Sequence, residues 1–336
     1  DRLRSRGLGD VYKRQDVYRE IDLIEEISRI NGYDKIDPTL PKNTQSPEIS
    51  NETRILKQIH EMFLGCGFYE AVTSSLVGAP IYKEFSISYD DEKAVKVQNP
   101  QSEDHTMLRE TLMANTLNTI KYNLANGQKN VWIYEIGKTY MIEAPADEKN
   151  SGVKECRMIS GAVTGTMVND KWTKRPEPDF FFIKGLMENL FELLGVENRI
   201  QYKPCSDKEF LHPGKSAKVL LLGKQPEEIG YFGEVHPILK DKQKFLQNVY
   251  VFEINLEKLL TAIHNTTPRY KKLSQFPEVQ RDIAFIVPEH VTHEEISKII
   301  KKAVKNNLYN GQELFDIYQG CLLYTSPSPR DRSLSR

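Results

Sequence analysis

The sequence predicts an α+β protein built on a largely antiparallel sheet, with a helical segment before it and a partial β-α-β unit after it. Three observations carry this. Between residues 52 and 263 the hydrophobic period switches repeatedly between the 3.6 of a helix and the 2 of a strand. Short strand-like segments follow one another late in that region, a run that belongs to α+β rather than alternating α/β domains. Two polar, proline-bearing stretches, residues 43–51 and 264–275, punctuate the chain as linkers.

Residues 18–31 read as an amphipathic helix, with Ile21, Ile24, Ile27 and Ile30 near helical spacing and Gly32 where a C-terminal cap is expected. Residues 37–51 hold three prolines among small polar residues. A helix is predicted over 52–64, with Ile55, Ile59, Met62 and Phe63 on one face and Gly65 and Gly67 closing it. Residues 68–77 read as one strand. Residues 104–126 read as a long helix with Leu108, Leu112, Leu117, Ile120 and Leu124 inward and Asn126-Gly127 as its stop. The segment 131–140 is rich in β-formers, and a further strand is expected near 157–167. A helix over 182–194 places Phe182, Leu186 and Leu190 at i, i+4 and i+8, ahead of Gly195. Strands at 218–222, 229–234 and 249–254 complete the central region. Beyond the second linker, a strand at 281–287, a helix at 293–306 and a strand at 312–318 make half of a split β-α-β fold.

With 46 Lys+Arg against 47 Asp+Glu and 39% hydrophobic residues, the 336-residue chain has enough apolar content for a core. Its near-neutral balance excludes a protein that holds nucleic acid by bulk charge alone. No apolar run approaches the roughly 20 residues of a membrane span, and no secretory leader is recognisable. Cys66, Cys156, Cys205 and Cys321 are scattered without a CxxC, so neither a disulfide framework nor a zinc knuckle is encoded. The expectation is a soluble cytoplasmic protein.

Both ends are expected to be adapter-derived. Residues 322–331 (LLYTSPSPRD) can be back-translated as CTC TTA TAC ACA TCT CCG AGC CCA CGA GAC. The reverse complement, read in another frame, encodes SRGLGDVYKR, which is residues 5–14. Residues 1–15 and 321–336 are therefore set aside as scars. They carry eight Lys/Arg and three Asp/Glu, so residues 16–320 hold 38 basic against 44 acidic residues, net −6.

No Walker loop, GxGxxG after a strand, HExxH or GxSxG occurs. His290 and His293 lack a metal-partner pattern, and His212-Pro213-Gly214 and His236-Pro237 read as tight turns. Asp22, Glu25 and Glu26 (i, i+3, i+4) share one side of the first helix, with Asp16 about one and a half turns earlier. That set is either a solvated acidic face, with Asp16 as an N-cap, or a site for a hard divalent cation such as magnesium. Lys298, Lys301, Lys302 and Lys305 form a basic stripe opposite Ile296, Ile299 and Ile300. It is either the wet face of an amphipathic helix or an RNA-backbone contact, with Arg269, Lys271 and Lys272 just upstream.

The stretch EIDLIEEISRINGYDKI (20–36) resembles the small helical domain of the bacterial phenylalanine–tRNA ligase β-subunit family. Further segments match that family in the same order: GFYEAVTSSLV (67–77), residues 99–140, DFFFIKGLMENLFELLG (179–195), residues 212–237, and FPEVQRDIAFIV through ELFDIYQG (276–320). The resemblance implies a fold: a class II aminoacyl-tRNA synthetase-like antiparallel-sheet module that has lost catalysis. A helical remnant precedes it and a truncated ferredoxin-like anticodon-binding unit follows. The implied boundaries are 16–42 for the end of the helical magnesium-binding domain, 43–51 for a linker, 52–263 for the synthetase-like core, 264–275 for a linker and 276–320 for the partial ferredoxin-like domain.

The resemblance implies a scaffold with no catalytic residues of its own. It would support an α subunit in an (αβ)₂ assembly, where the α subunit uses ATP to attach phenylalanine to tRNA(Phe). It also implies that Asp16, Asp22, Glu25 and Glu26 bind Mg²⁺. Class II activation needs positioned arginines and bound magnesium. Between residues 51 and 262 the arginines are only Arg54, Arg109, Arg157, Arg175 and Arg199, and Arg109 reads as structural. No editing residues can be transferred. Two rivals stand beside this reading: an autonomous RNA-binding module built on the lysine stripe, and an autonomous amino-acid-activating enzyme built on Arg109.

Overall fold

A computed structural model of the chain describes residues 17–40, 48–145, 151–166, 177–263, 270, 276–288, 290–304 and 308–317. Asp16, Lys305, Arg175, Cys321, the scars at 1–15 and 321–336 and nearly all of the second linker lie outside the described residues. The chain forms two compact units, residues 1–267 and 268–336.

The first unit opens with α1 (Glu20–Asn31), which is followed by a 3₁₀ turn at Tyr33–Lys35 and buries none of its residues. The chain then supplies α2 (Asn51–Gly65), β1 (Tyr69–Glu70), β2 (Leu76–Val77), α3 (Ala79–Glu84), β3 (Met107–Leu108) and α4 (Met113–Ala125). After these come β4 (Val131–Ile142), β5 (Val153–Thr164), α5 (Phe180–Leu193), β6 (Ile200–Pro204) and β7 (Leu211–Leu221). The unit ends with β8 (Glu227–Val235), α6 (Pro237–Lys242), β9 (Val249–Asn255) and α7 (Leu256–Ile263). Seven strands form one sheet in the order β1-β4-β5-β9-β8-β7-β6. Only β1 against β4 is parallel, and every other neighbouring pair is antiparallel.

Helices cover both faces of this sheet. Alternate residues on a strand point to opposite sides, so Trp132 and Tyr134 of β4 join one core while Val131 and Ile133 join the other. The first core takes Ile59 and Phe63 of α2, Ile183, Met187 and Leu190 of α5, and Leu256 and Leu259 of α7. The second takes Tyr82 of α3, Met113, Leu117 and Ile120 of α4, and Leu239 of α6. Double coverage explains why β9 (VYVFEIN) is buried along nearly its whole length rather than on alternate residues. Phe63 stacks on both Tyr134 and Phe252, at centroid distances of 4.8 and 5.5 Å. Gly161 lets the Phe252 ring close over β5, where an added Cβ would stand 2.4 Å from ring carbon Cζ.

Sequence periodicity locates most of these elements. Helix α2 starts at Ser50, whose hydroxyl accepts the Thr53 amide at 3.1 Å, and Asp179 caps α5 through the Phe182 amide at 2.8 Å. His236 begins α6 as its turn chemistry predicts, with Nδ1 accepting from the Ile238 amide at 3.2 Å. His212 accepts the Gly214 amide at 3.0 Å, inside an irregular start to β7.

Two predicted elements are wrong in kind. Residues 68–77 are not one strand: β1 joins the large sheet, β2 pairs with β3 in a separate two-stranded sheet, and the intervening residues leave both ladders. Residues 104–112 are not α-helical either: Glu103–His105 form only a 3₁₀ turn, Leu108 pairs with Leu76 and Arg109 is drawn into a buried ion pair. The helix starts only at Met113. Short elements α3, β6 and α6 carry too little periodicity to be predicted, whereas α7, with Leu256, Leu259, Leu260 and Ile263 at i, i+3, i+4 and i+7, has a helical signal that the sequence reading passes over.

In the second unit the predicted helix is present as α8 (His293–Ala303), begun by a capping box between Thr292 and Glu295. The strands expected at 281–287 and 312–318 are absent among the described residues. A strand exists only with a ladder partner, and in a split β-α-β unit the two strands flank the place of a third.

Candidate functional site

The densest polar cluster in the first unit forms where residues 71–75, the start of α4 and strand β4 meet. Arg109 lies there almost wholly buried, with Nη1 2.9 Å from Glu135 Oε1. Its Nε donates to the Lys138 carbonyl at 3.0 Å, and Nη1 donates to Thr73 Oγ1 at 2.7 Å. Thr73 Oγ1 donates in turn to Glu135 Oε2 at 2.7 Å. Asn115 donates from Nδ2 to Thr73 Oγ1 at 2.9 Å and to the Ser74 carbonyl at 2.8 Å. Gly137 makes room for the guanidinium, since a Cβ there would sit 2.5 Å from Arg109 Nη2. This network holds residues 73 and 74 out of the ladder, which is why 68–77 breaks into two strands.

A second buried carboxylate stands at the other side of the α4 start. Glu253 of β9 accepts from the Leu112 amide at 2.7 Å, from Thr111 Oγ1 at 2.7 Å and from the Tyr231 hydroxyl at 2.7 Å. The Thr111 hydroxyl accepts the Met113 amide at 3.1 Å. Glu253 thereby satisfies the opening turn of α4 from 141 residues away in sequence. Burial and this carboxylate push the Tyr231 phenol well above its ordinary pKa, so it stays a hydrogen-bond donor.

The cluster has the wrong electrostatics for gripping a nucleotide. An arginine that binds phosphate presents its charge to solvent or to the ligand, whereas Arg109 is neutralised by Glu135 and engaged on several sides by its own chain. Arg157 pairs with Glu52, and Arg199 donates to the carbonyls of Leu222 and Ala262, each at 3.3 Å. Arg54 lies exposed on α2. An open hollow of about 390 Å³ on α4, beside Asn118 and Tyr122, includes none of the cluster residues.

On the acidic flank of α1, Asp22 and Glu26 are half-buried. Asp22 Oδ2 accepts the Tyr18 and Arg19 amides at 2.8 and 2.7 Å, closing the first turn. Glu26 pairs with Arg29 at 2.6 Å, and that hydrogen bond holds its carboxyl below the usual carboxylate range. Glu25 is exposed on the same helix. Oxygen donors of this kind suit a hard divalent ion. As placed, Asp22 and Glu26 are occupied by their own chain, and among the described residues no three His, Cys, Asp or Glu converge as a metal cage.

Of the basic stripe, Lys298, Lys301 and Lys302 lie exposed on α8. Lys298 pairs with Glu294 at 2.5 Å, and Lys301 stands 5.8 Å over the Tyr309 ring. No described helix is long and apolar enough to cross a membrane.

Glu135, Glu253, Thr73 and Asn115 escaped the sequence reading. A signal existed for the two acids: each interrupts an otherwise apolar strand, VWIYEI and VYVFEI, and a lone carboxylate in such a run is buried and partnered.

The seven-stranded sheet and its two helical layers form a mixed α+β module with a mostly antiparallel sheet. A family model described as the phenylalanyl tRNA synthetase beta chain CLM domain matches residues 36–256, and one for the ferredoxin-fold anticodon binding domain matches residues 274–326. The chain belongs to the phenylalanyl-tRNA synthetase beta chain family. It is 35% identical over 309 residues to the phenylalanine–tRNA ligase beta subunit of Listeria innocua, covering 92% of this chain and 37% of that one. The beta subunit of Carboxydothermus hydrogenoformans is 34% identical over 311 residues, covering 91% and 37%. The chain thus spans 37% of the length of these curated relatives. Among solved structures, pyrrolysyl-tRNA synthetase PylSc of Desulfitobacterium hafniense aligns over 64% of this chain and 70% of that one, at 17% identity and a TM-score of 0.48.

Proposed function

We propose that this chain is a non-catalytic scaffold of phenylalanine–tRNA ligase. It supports an α subunit in the ATP-dependent attachment of phenylalanine to tRNA(Phe), within a cytoplasmic (αβ)₂ assembly. Family membership supports the setting. The observation that carries the non-catalytic role is the buried, internally neutralised Arg109, with Arg157 and Arg199 also spent on their own chain. A fold whose described Arg109, Arg157 and Arg199 are all engaged by their own chain holds its shape and leaves nucleotide chemistry to a neighbour. Co-expression with a phenylalanine–tRNA ligase α subunit is expected to yield a stable complex. The purified chain alone is expected to show no phenylalanine-dependent exchange of pyrophosphate into ATP. Failure to co-purify, or exchange by the lone chain, would count against the scaffold reading.

Within this reading, Asp16, Asp22, Glu25 and Glu26 bind Mg²⁺ at α1, supported by their oxygen chemistry and their i, i+3, i+4 spacing. The chain would hold the ion by those carboxylates once Arg29 releases Glu26. Calorimetric titration with magnesium is expected to register binding that Glu25→Ala with Glu26→Ala abolishes; identical titrations of both proteins would refute it. Lys298, Lys301, Lys302 and Lys305 are the proposed RNA-backbone contacts, supported by the anticodon-binding family match at 274–326. Charge reversal there is expected to weaken tRNA binding and flatten its salt dependence.

A further inference from the structure

Three helices over the second core of the first unit gather five lysines at one corner. Lys83 and Glu84 end α3, Lys121 lies on α4, and Lys240, Lys242 and Lys244 lie in and just after α6. Hydrogen bonds fix the grouping. Lys121 pairs with Glu84, while Lys242 Nζ and Gln243 Nε2 each donate to the Glu84 carbonyl at 3.0 Å. The Phe245 amide turns back to the Lys240 carbonyl at 2.9 Å, which keeps Lys244 at the same corner. Lys240 donates to the neutral Asn248 side chain, so its charge is not cancelled. Within residues 79–84, 118–125 and 237–246 only Glu84 and Asp241 stand against the five lysines, although the whole chain is near neutral.

The open hollow of about 390 Å³ on α4 adjoins this charge, since Lys121 lines it together with Asn118 and Tyr122. Its volume lies within the roughly 300–1,000 Å³ of small-ligand sites. Asn118, Lys121 and Tyr122 follow at i, i+3 and i+4 on one flank, and Tyr122 is 69% exposed. An exposed aromatic ring beside clustered ammonium groups suits single-stranded nucleic acid: phosphates meet the lysines and an unpaired base stacks on the ring. A paired base in a duplex keeps its faces stacked on its neighbours and offers the ring nothing. The anticodon-binding family match at 274–326 makes RNA the strand this chain meets. Lys244 adds a separate sign. Its φ of 57° lies in the left-handed region, where glycine is the least strained residue. Lysine there costs stability that glycine would not, and the ammonium group is what the position gains.

We propose that the corner formed by α3, α4 and α6 is a binding surface for single-stranded RNA, with Lys83, Lys242 and Lys244 on phosphates and Tyr122 under a base. It needs neither an α subunit nor the α8 lysines, so its failure would leave the scaffold reading intact.

The test is fluorescence anisotropy of a labelled twelve-nucleotide oligouridine with the full chain carrying Lys298→Glu, Lys301→Glu and Lys302→Glu, which removes the α8 contribution. Binding is expected, and log Kd should rise with log salt at a slope of about 2, as three phosphate contacts on a single strand give. Tyr122→Ala is expected to weaken it about fivefold or more. Lys83→Glu with Lys244→Gly is expected to weaken it about tenfold. Lys244→Gly alone should raise the melting temperature of the first unit while lowering RNA affinity, and a loss in a more stable protein cannot come from unfolding. Polyglutamate serves as the acidic-peptide control and is expected to bind more weakly and without regard to Tyr122. No oligouridine binding in the α8-reversed chain, or binding untouched by Tyr122→Ala and by the lysine changes, would overturn the proposal. Polyglutamate binding as tight as that of RNA would overturn it too, by making the corner a surface for acidic peptides.

Discussion

Arg109 and Glu135 desolvate two full charges, and their mutual attraction is offset by that desolvation. The pair is therefore expected to be costly to break and cheap to replace. Glu135→Gln or Arg109→Met alone should each destabilise the fold by about 3–5 kcal/mol, because an uncompensated partner stays buried. The double change Arg109→Met with Glu135→Leu should lose much less than the sum, which urea unfolding of the four proteins of the cycle would measure. Glu110, next to Arg109 in sequence, gives a pH signature. Burial raises its carboxyl pKa above the usual range, and its Oε1 has no described hydrogen-bond partner. The folded chain thus holds that proton to higher pH than the unfolded chain. Glu110 therefore costs nothing below the ordinary value near 4.5 and subtracts stability as pH rises through its raised folded value. Glu110→Gln is expected to be more stable than wild type at neutral pH, with the gap closing on acidification. Parallel pH profiles of the two proteins would contradict this.

Helix α4 shows how an element can owe its boundary to distant chain. Its apolar spacing extends back to Leu108, its N-cap residue Leu112 has no capping side chain, and locally only the Thr111 hydroxyl meets the Met113 amide. The boundary comes from Glu253, which takes the Leu112 amide and the Thr111 hydroxyl, while Leu108 is claimed by β2. Glu253→Ala would leave the Leu112 amide and the Tyr231 and Thr111 hydroxyls short of a buried acceptor, at a cost of about 3 kcal/mol. Hydrogen exchange should then accelerate first in the amides of 112–116 rather than uniformly through the sheet. The sheet offers a second case at β9 and β5, where Gly161 and Phe252 interlock. Phe252→Ala is expected to cost about 3–5 kcal/mol, as truncation of a fully buried aromatic does, with the loss read from the urea midpoint.

At the level of the molecule, the first unit has two continuous cores, and the second has one helix with flanking apolar segments in solvent. Limited trypsin digestion is expected to cut first within 268–277, where Lys271 and Lys272 stand, and to leave the first unit intact. Equal protection of both units would refute that. Periodicity made α1, α2, α5, α8 and the long strands legible, because each buries one repeating face or, like α1 and α8, carries one. It also placed Asp22, Glu25, Glu26 and the lysines of α8 on single flanks, since spacing within one helix is a local property. Family resemblance was legible from ordered segments spread along the chain. The polar centre was not. Arg109, Glu135, Thr73, Asn115 and Glu253 come from five separate segments, and no local pattern encodes which donor will meet which acceptor. Local chain chemistry decides where helices and strands can form and which face is apolar. Whether Arg109 grips a ligand or is silenced by Glu135, and where α4 begins, depends on strands brought together from opposite ends of the domain, because burial makes every polar group seek a partner wherever the fold puts one.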